Sequence, residues 1–195
     1  NCHVANLSMT MSTPDSGMTA AYWIGGLVGA LDSQYIDECS VSGRITETSG
    51  KGSIGGLIGE LGRAAKITYS HADVALDVKP DYYGGADVGG LIGKGNGDQD
   101  PETVISNCYA TGTVTGGAYS GGFAGSLWGL NIKNCYATGD VTGAAGSMAT
   151  FVGTDAPAAY AYGSVTNCYT TGMVVGTASS TYAFAYQDAT VRSPI

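Results

Sequence analysis

Apolar and polar residues alternate in short runs along this chain. In Cys108-Tyr109-Ala110-Thr111 the small apolar side chains take one parity, and tyrosine and threonine take the other. Period two is the pattern of a strand with one covered face. Almost no segment carries the longer period of a helix. Two blocks with this alternation recur. The first is Ile24-Gly25-Gly26-Leu27-Val28-Gly29, which returns as Ile54 to Gly59 and as Val88 to Gly93. A looser copy is Gly121-Gly122-Phe123-Ala124-Gly125, and a degenerate one is Ala149-Thr150-Phe151-Val152-Gly153. Positions 25, 55, 89, 121 and 149 mark the copies, so the spacings are 30, 34, 32 and 28 residues.

The second block follows each copy of the first. It is clearest in Ile105-Ser106-Asn107-Cys108-Tyr109-Ala110-Thr111-Gly112-Thr113-Val114. Residues 132–141 and 165–174 repeat it closely; residues 36–45 and 67–77 are weaker copies, with Cys39 and Ser70 at the cysteine position. The blocks keep their length while the linkers vary, which is how a solenoid takes insertions at its corners. Gly and Asn at fixed offsets supply the turns, because both tolerate positive φ. A turn of roughly 30 residues holds three short strands and three corners. Stacking equivalent strands about 4.8 Å apart gives an all-β, right-handed parallel β-helix, a β-solenoid of about five to six rungs.

Residues 1–195 read as a single solenoid domain: 1–21 a partial N-terminal rung, 22–176 five repeats, 177–195 a partial rung or cap. The chain starts mid-repeat at Asn1-Cys2 and reads as a segment of a longer protein. Pro80–Gly85, Gly95–Pro101 and Asp155–Tyr162 read as corner insertions. Leu27, Leu57, Leu91, Phe123 and Phe151 are expected to stack as one buried column. For Ile24, Ile54 and Val88 to share that interior, the odd spacing from 24 to 27 requires a bend at Gly25-Gly26.

Composition agrees with this reading. Glycine supplies 32 of 195 residues, far too many for a helix-rich chain. Lys+Arg number 8 against 16 Asp+Glu, a net charge of −8. That balance excludes nucleic acid as a partner, because phosphate recognition needs clustered Lys and Arg. No apolar run approaches the length of a membrane helix, so membrane insertion is not expected.

The pairing of x-Gly-Gly-Leu-Val/Ile-Gly with a later Asn-Cys-Tyr-Ala-Thr-Gly-x-Val resembles the GLUG-motif repeats. These occur in bacterial surface adhesins, filamentous haemagglutinin-like proteins and the non-catalytic regions of immunoglobulin A peptidases. The resemblance covers about residues 22–176. It departs at Ser70 for cysteine, at Ala149-Thr150 for Gly-Gly, and in the faded C-terminus. The resemblance implies an extracellular, bacterial cell-surface or secreted location, a repetitive stalk or adhesive surface, and no catalytic residues to carry over.

All five cysteines, Cys2, Cys39, Cys108, Cys135 and Cys168, share one repeat position. Buried free thiols are the favoured reading. Disulfides meet an odd count and a strand spacing wider than a disulfide's preferred Cβ separation. Metal ligation lacks convergent ligand pairs.

With cysteine inward, Tyr109, Tyr136 and Tyr169 point outward in one column, and Thr111, Thr138 and Thr171 in the next. Two readings stay open: the columns stabilise the sheet, or they form a flat binding face. An ice-binding threonine array is disfavoured by Ser42 and Asp73 at the same site elsewhere. Asn96, Asp98, Asp100 and Glu102 bear oxygens at a spacing like the first half of a calcium loop, and calcium is the one cofactor considered. Pro101 and the lack of a bidentate Glu at the proper distance count against it.

Catalysis has little support. His3 lies at the frayed start, and His71 reads as an exposed replacement in the tyrosine column. Paired carboxylates for glycoside cleavage could in principle come from Asp73 and Asp140 in neighbouring columns, but they are two rungs apart by repeat count and nothing else converges there. The chain is therefore expected to be no enzyme but a non-catalytic structural or adhesive repeat segment. Its partners would be a host or matrix glycan or protein, or neighbouring solenoid subunits end to end. The alternatives are a carbohydrate-binding or carbohydrate-active β-helix, and a self-assembling fibre subunit.

Overall fold

A computed structural model of the chain describes residues 1–12, 22–79, 85–97, 102–144, 146–155, 163–177, 180–185 and 191–192. Every described element is a strand, and every pairing between strands is parallel. The chain winds as a β-solenoid through four sheets. Sheet I begins with Trp23–Gly25, Ser53–Gly55 and Asp87–Gly89 and continues through Tyr119–Gly121, Ser147–Ala149 and Ser180–Tyr182. Sheet II stacks Val28–Leu31, Ile58–Leu61, Ile92–Asn96, Ala124–Trp128 and Val152–Asp155. Sheet III holds Tyr35–Asp37, Lys66–Thr68, Val104–Ser106, Asn131–Lys133, Ser164–Thr166 and Val191–Arg192. Sheet IV starts with His3–Met11, Ser40–Glu47 and His71–Val78. In later turns it is split into pairs such as Tyr109–Ala110 and Val114–Thr115.

A turn therefore passes through four sheets, one more than the three strands per turn that the sequence suggested. The extra division lies at the Gly-Gly pair, where the chain bends between sheets I and II. A Cβ built on Gly55 would overlap the Ile58 carbonyl oxygen, and one on Gly90 would overlap the Gly122 carbonyl of the next turn. The close approach of backbone, rather than a positive φ, demands glycine there. The bend brings residues at odd spacing into one interior: Ile54 and Leu57 are both fully buried, as are Val88 and Leu91. The fifth turn keeps the register with Ala149 opposite Gly121.

The bend carries the expected column. Leu57, Leu91, Phe123 and Phe151 are fully buried, and Phe151 stacks between Phe123 and Phe184 at 4.6 and 4.8 Å. Leu27, at the first complete turn, is only half-buried. A second inner column runs up sheet III from Ile36 through Ile67, Ile105 and Ile132 to Val165. The suggested corner at Gly95–Pro101 begins later, because Gly95 and Asn96 still belong to sheet II. Asp155 is likewise the end of a strand, and residues 80–84, 98–101 and 156–162 lie outside the described residues.

The corner between sheets III and IV is a single left-handed residue in each turn. Asn107, Asn134 and Asn167 adopt φ of 55, 55 and 53°. Their amides form a ladder, Asn134 donating to Asn107 Oδ1 at 3.1 Å and Asn167 to Asn134 Oδ1 at 3.2 Å. In earlier turns Glu38 and Tyr69 take the same place at φ 50 and 48°. This conformation costs an ordinary L-residue roughly 1–2 kcal/mol, and Asn much less. Tyr69→Asn removes that strain and can extend the amide ladder to Asn107. It should stabilise the fold by about 1 kcal/mol, raising Tm by roughly 2–4 °C. Calorimetry of the variant checks this; an unchanged or lower Tm contradicts it.

Candidate binding faces

The cysteine column lines the inside of the corner that leads into sheet IV. Cys39, Cys108 and Cys135 are buried, Cys168 is half-buried, and all five thiols are free. Each of the inner four donates to the carbonyl two residues earlier: Asp37, Ser106 and Lys133 at 3.2 Å, and Thr166 at 3.3 Å. Ser70 makes the same bond to Thr68 at 2.7 Å, which explains why serine replaces cysteine there without disturbing the register. A hydrogen bond with Cys108, helped by burial, pushes the Cys135 thiol up to about 12, so it stays a protonated core group. Cys2 departs from the expected shielding. It is exposed, just ahead of the first strand of sheet IV.

Opposite parity faces outward. Register places His71, Tyr109, Tyr136 and Tyr169 in one column of sheet IV. Their rings stack face to face: His71 on Tyr109 at 4.4 Å and 8°, Tyr109 on Tyr136 at 4.8 Å and 3°, Tyr136 on Tyr169 at 5.1 Å and 10°. The strand spacing of about 4.8 Å nearly equals the separation of offset-stacked rings, so the sheet sets the ladder. His71 is thus a half-buried rung of the ladder, not the exposed replacement expected from sequence. Burial, and then the charge of His3, lower its pKa, with Asp73 opposing. The imidazole stays neutral near pH 7 and stacks as an aromatic ring. Burial and the two flanking tyrosines raise the pKa of Tyr136, so its phenol stays protonated.

The threonine column runs beside it. Thr111 donates to Asp73 Oδ1 at 3.0 Å, Thr138 is half-buried and Thr171 exposed. Together the two columns form an evenly spaced strip on the outer side of sheet IV. Asp140, the other carboxylate weighed for catalysis, accepts from the Met173 backbone N–H at 2.9 Å. Asp73 and Asp140 thus serve different turns and do not converge.

The oxygen-bearing run suggested for calcium lies only partly within the described residues. Asp98 and Asp100 lie outside them, Asn96 ends a strand of sheet II, and Glu102 pairs with Lys66 at 3.8 Å. Among the described residues, no group of three or more His, Cys, Asp or Glu is placed to hold a metal ion.

A second outer surface was not legible in the sequence. At the bend, the first position of each sheet I strand faces the third position of the sheet II strands. Asp87 there is half-buried and hydrogen-bonds Ser126, with Lys94 and Glu60 nearby. Burial pushes its carboxyl from 3.8 up to about 6, against the pull of Ser126 and Lys94. The folded chain therefore holds this proton more tightly than the unfolded chain, and stability falls as pH rises from about 4 to about 6. Two pKa units set a ceiling of about 3 kcal/mol; water at the half-buried carboxyl reduces the expected loss to about 1–2 kcal/mol. Asp87→Asn should match the parent near pH 4 and exceed it by that amount at pH 7. Urea denaturation at both pH values tests this, and a variant less stable at pH 7 contradicts it.

The chain has informative relatives. Residues 84–115 and 116–142 match the family model for the GLUG motif. Over 112 residues the chain is 37 % identical to an immunoglobulin A1 protease of Streptococcus pneumoniae, and over an equal length 38 % identical to that of Streptococcus sanguinis. Each match covers 54 % of this chain and 6 % of the protease. Halomucin of Haloquadratum walsbyi is 36 % identical over 123 residues, 58 % of this chain and 1 % of that protein. No solved structure matches. The matched repeats hold both the Gly-Gly bend of the third and fourth turns and the Tyr109–Tyr136 step of the ladder; these segments, 84–115 and 116–142, are GLUG-motif repeats.

Proposed function

We propose that the chain is a non-catalytic, adhesive repeat segment of a bacterial extracellular surface protein, and that sheet IV presents its binding face. The observation that carries the reading is the ladder of His71, Tyr109, Tyr136 and Tyr169. Four parallel rings present a large, rigid contact area with little side-chain entropy left to lose on binding. A flat, evenly spaced strip suits an extended polymer or the flat surface of a partner protein. It excludes no water around a reacting bond, as an enzyme's cleft does. The similarity of this segment to small parts of proteins as differently named as an immunoglobulin A1 protease and halomucin also supports a reusable, non-catalytic module.

The test is adhesion. Beads coated with the chain, and beads coated with the Tyr109→Ser/Tyr136→Ser/Tyr169→Ser variant, are applied to host epithelial cells and to extracellular matrix. The parent should adhere and the triple variant should lose adhesion while keeping its β-rich circular dichroism spectrum. Equal adhesion by a folded triple variant would make the segment a spacer rather than a binding module.

A further inference from the structure

Trp23, 48 % exposed, lines a cavity of about 300 Å³ together with the buried Leu31. Its polar lining is Asp32, Glu60, Arg63 and Asn96, and Ala30 is also in the wall. We infer that this cavity binds a pyranose unit of a glycan. The site is separate from the tyrosine ladder, and it stands whether or not that ladder binds anything.

Register explains why the cavity exists. Along sheet II, Ala30 aligns with Glu60, which aligns with Lys94, which aligns with Ser126. In sheet I, Trp23 aligns with Ser53, and Ser53 with Asp87. The first turn thus combines the smallest side chain of one column with the largest of the other. The space that a long side chain fills in later turns lies open beside the indole. At about 300 Å³ it falls at the small end of ligand cavities, which suits one sugar ring rather than a larger ligand.

The chemistry of the wall selects the ligand class. A pyranose has an apolar face of C–H groups and an edge of hydroxyls. An exposed indole offers a flat apolar surface for the first. Each hydroxyl both donates and accepts, so its recognition needs both kinds of partner. Asp32 and Glu60 accept, Arg63 donates, and Asn96 does both. These groups come from three successive turns held in fixed parallel register. The Asp32 carboxylate is further confined against the backbone of Gly62, with Oδ1 2.6 Å from where a Cβ on that glycine would stand. Two carboxylates beside a tryptophan would also attract a cation, but Arg63 in the same wall favours a neutral ligand.

The experiment applies the chain to an array of neutral and acidic pyranose glycans and, in parallel, to an oligolysine peptide. The methyl glycoside of the best glycan is then titrated by fluorescence in the Trp128→Phe variant, where Trp23 is the remaining tryptophan. At least one glycan should bind and change Trp23 emission. Trp23→Ala and, independently, Glu60→Gln should each weaken it about tenfold or more. The triple tyrosine-to-serine variant should bind within about twofold of the parent. The inference is overturned if no glycan binds, if only oligolysine binds, or if both Trp23→Ala and Glu60→Gln leave the affinity unchanged.

Discussion

Gly89→Ala should destabilise the third turn by about 4 kcal/mol, whereas Gly143→Ala should change stability by less than about 1 kcal/mol. The two substitutions add the same methyl group to the same kind of fold. At Gly89 the added Cβ would overlap the Ile92 carbonyl oxygen within its own bend. It would also stand 2.5 Å from Ala124 Cα and 2.6 Å from Gly125 N of the next turn. All three are backbone atoms fixed by ladder hydrogen bonds, such as Leu91 N–H to Phe123 O at 2.8 Å and Ile92 N–H to Phe123 O at 3.1 Å. Moving any of them breaks the sheet on both sides. At Gly143 the nearest atom is the sulfur of Met148 at 3.2 Å, the flexible end of a side chain that can turn aside. The fifth turn does carry Ala149 at the Gly89 position, but its outer neighbour in sheet II is only a bridge from Val152 to Ala185. Gly89 is enclosed by complete turns above and below. Because each turn of a solenoid contacts only its neighbours, the Gly89→Ala chain should melt in two steps. Thermal melting followed by circular dichroism decides it: a single unshifted transition for Gly89→Ala would mean that the bend tolerates a side chain.

Periodicity carried the parts of this structure that repeat. The blocks gave the stacked parallel strands, the inward parity of Cys108 and Ala110, and the outward parity of Tyr109 and Thr111. The odd step from Ile24 to Leu27 signals the bend at Gly25-Gly26, but not that the bend ends one strand and starts another. Asparagine at a fixed offset marked the left-handed corner. What escaped was whatever does not repeat. Trp23, Asp32, Glu60, Arg63 and Asn96 come from three turns and differ in type at every equivalent position, so no motif announces their cavity. Asp87 reads as an ordinary acidic residue, and only the fold of sheet II over sheet I buries it. His71 looked like an isolated substitution, because stacking depends on a spacing that one strand cannot reveal. Cys2 shares its repeat position with three buried thiols and one half-buried thiol, yet it is exposed.

Phe123→Ala should cost about 3–5 kcal/mol, Leu91→Ala about 2–5 kcal/mol, and Leu27→Ala about 1 kcal/mol. All three belong to one column, so the ranking tests burial and confinement with chemistry held similar. Phe123 is fully buried, with Leu91 in the turn on one side and Phe151 stacked at 4.6 Å on the other. Leu91 is fully buried between Leu57 and Phe123. Leu27 is half-buried and already meets water, so its truncation opens less enclosed space. Elsewhere, a core can shrink around a lost side chain by shifting an element. Here the separation of turns is set by the backbone ladder, with Phe123 N–H bonded to Phe151 O at 2.9 Å. Closing the cavity would shorten those bonds below their normal range, so the void persists and the cost stays near the top of the usual span. Urea denaturation of the three variants measures the order. A Leu27→Ala loss equal to that of Phe123→Ala would show that the column does not act as the confined core described by its burial.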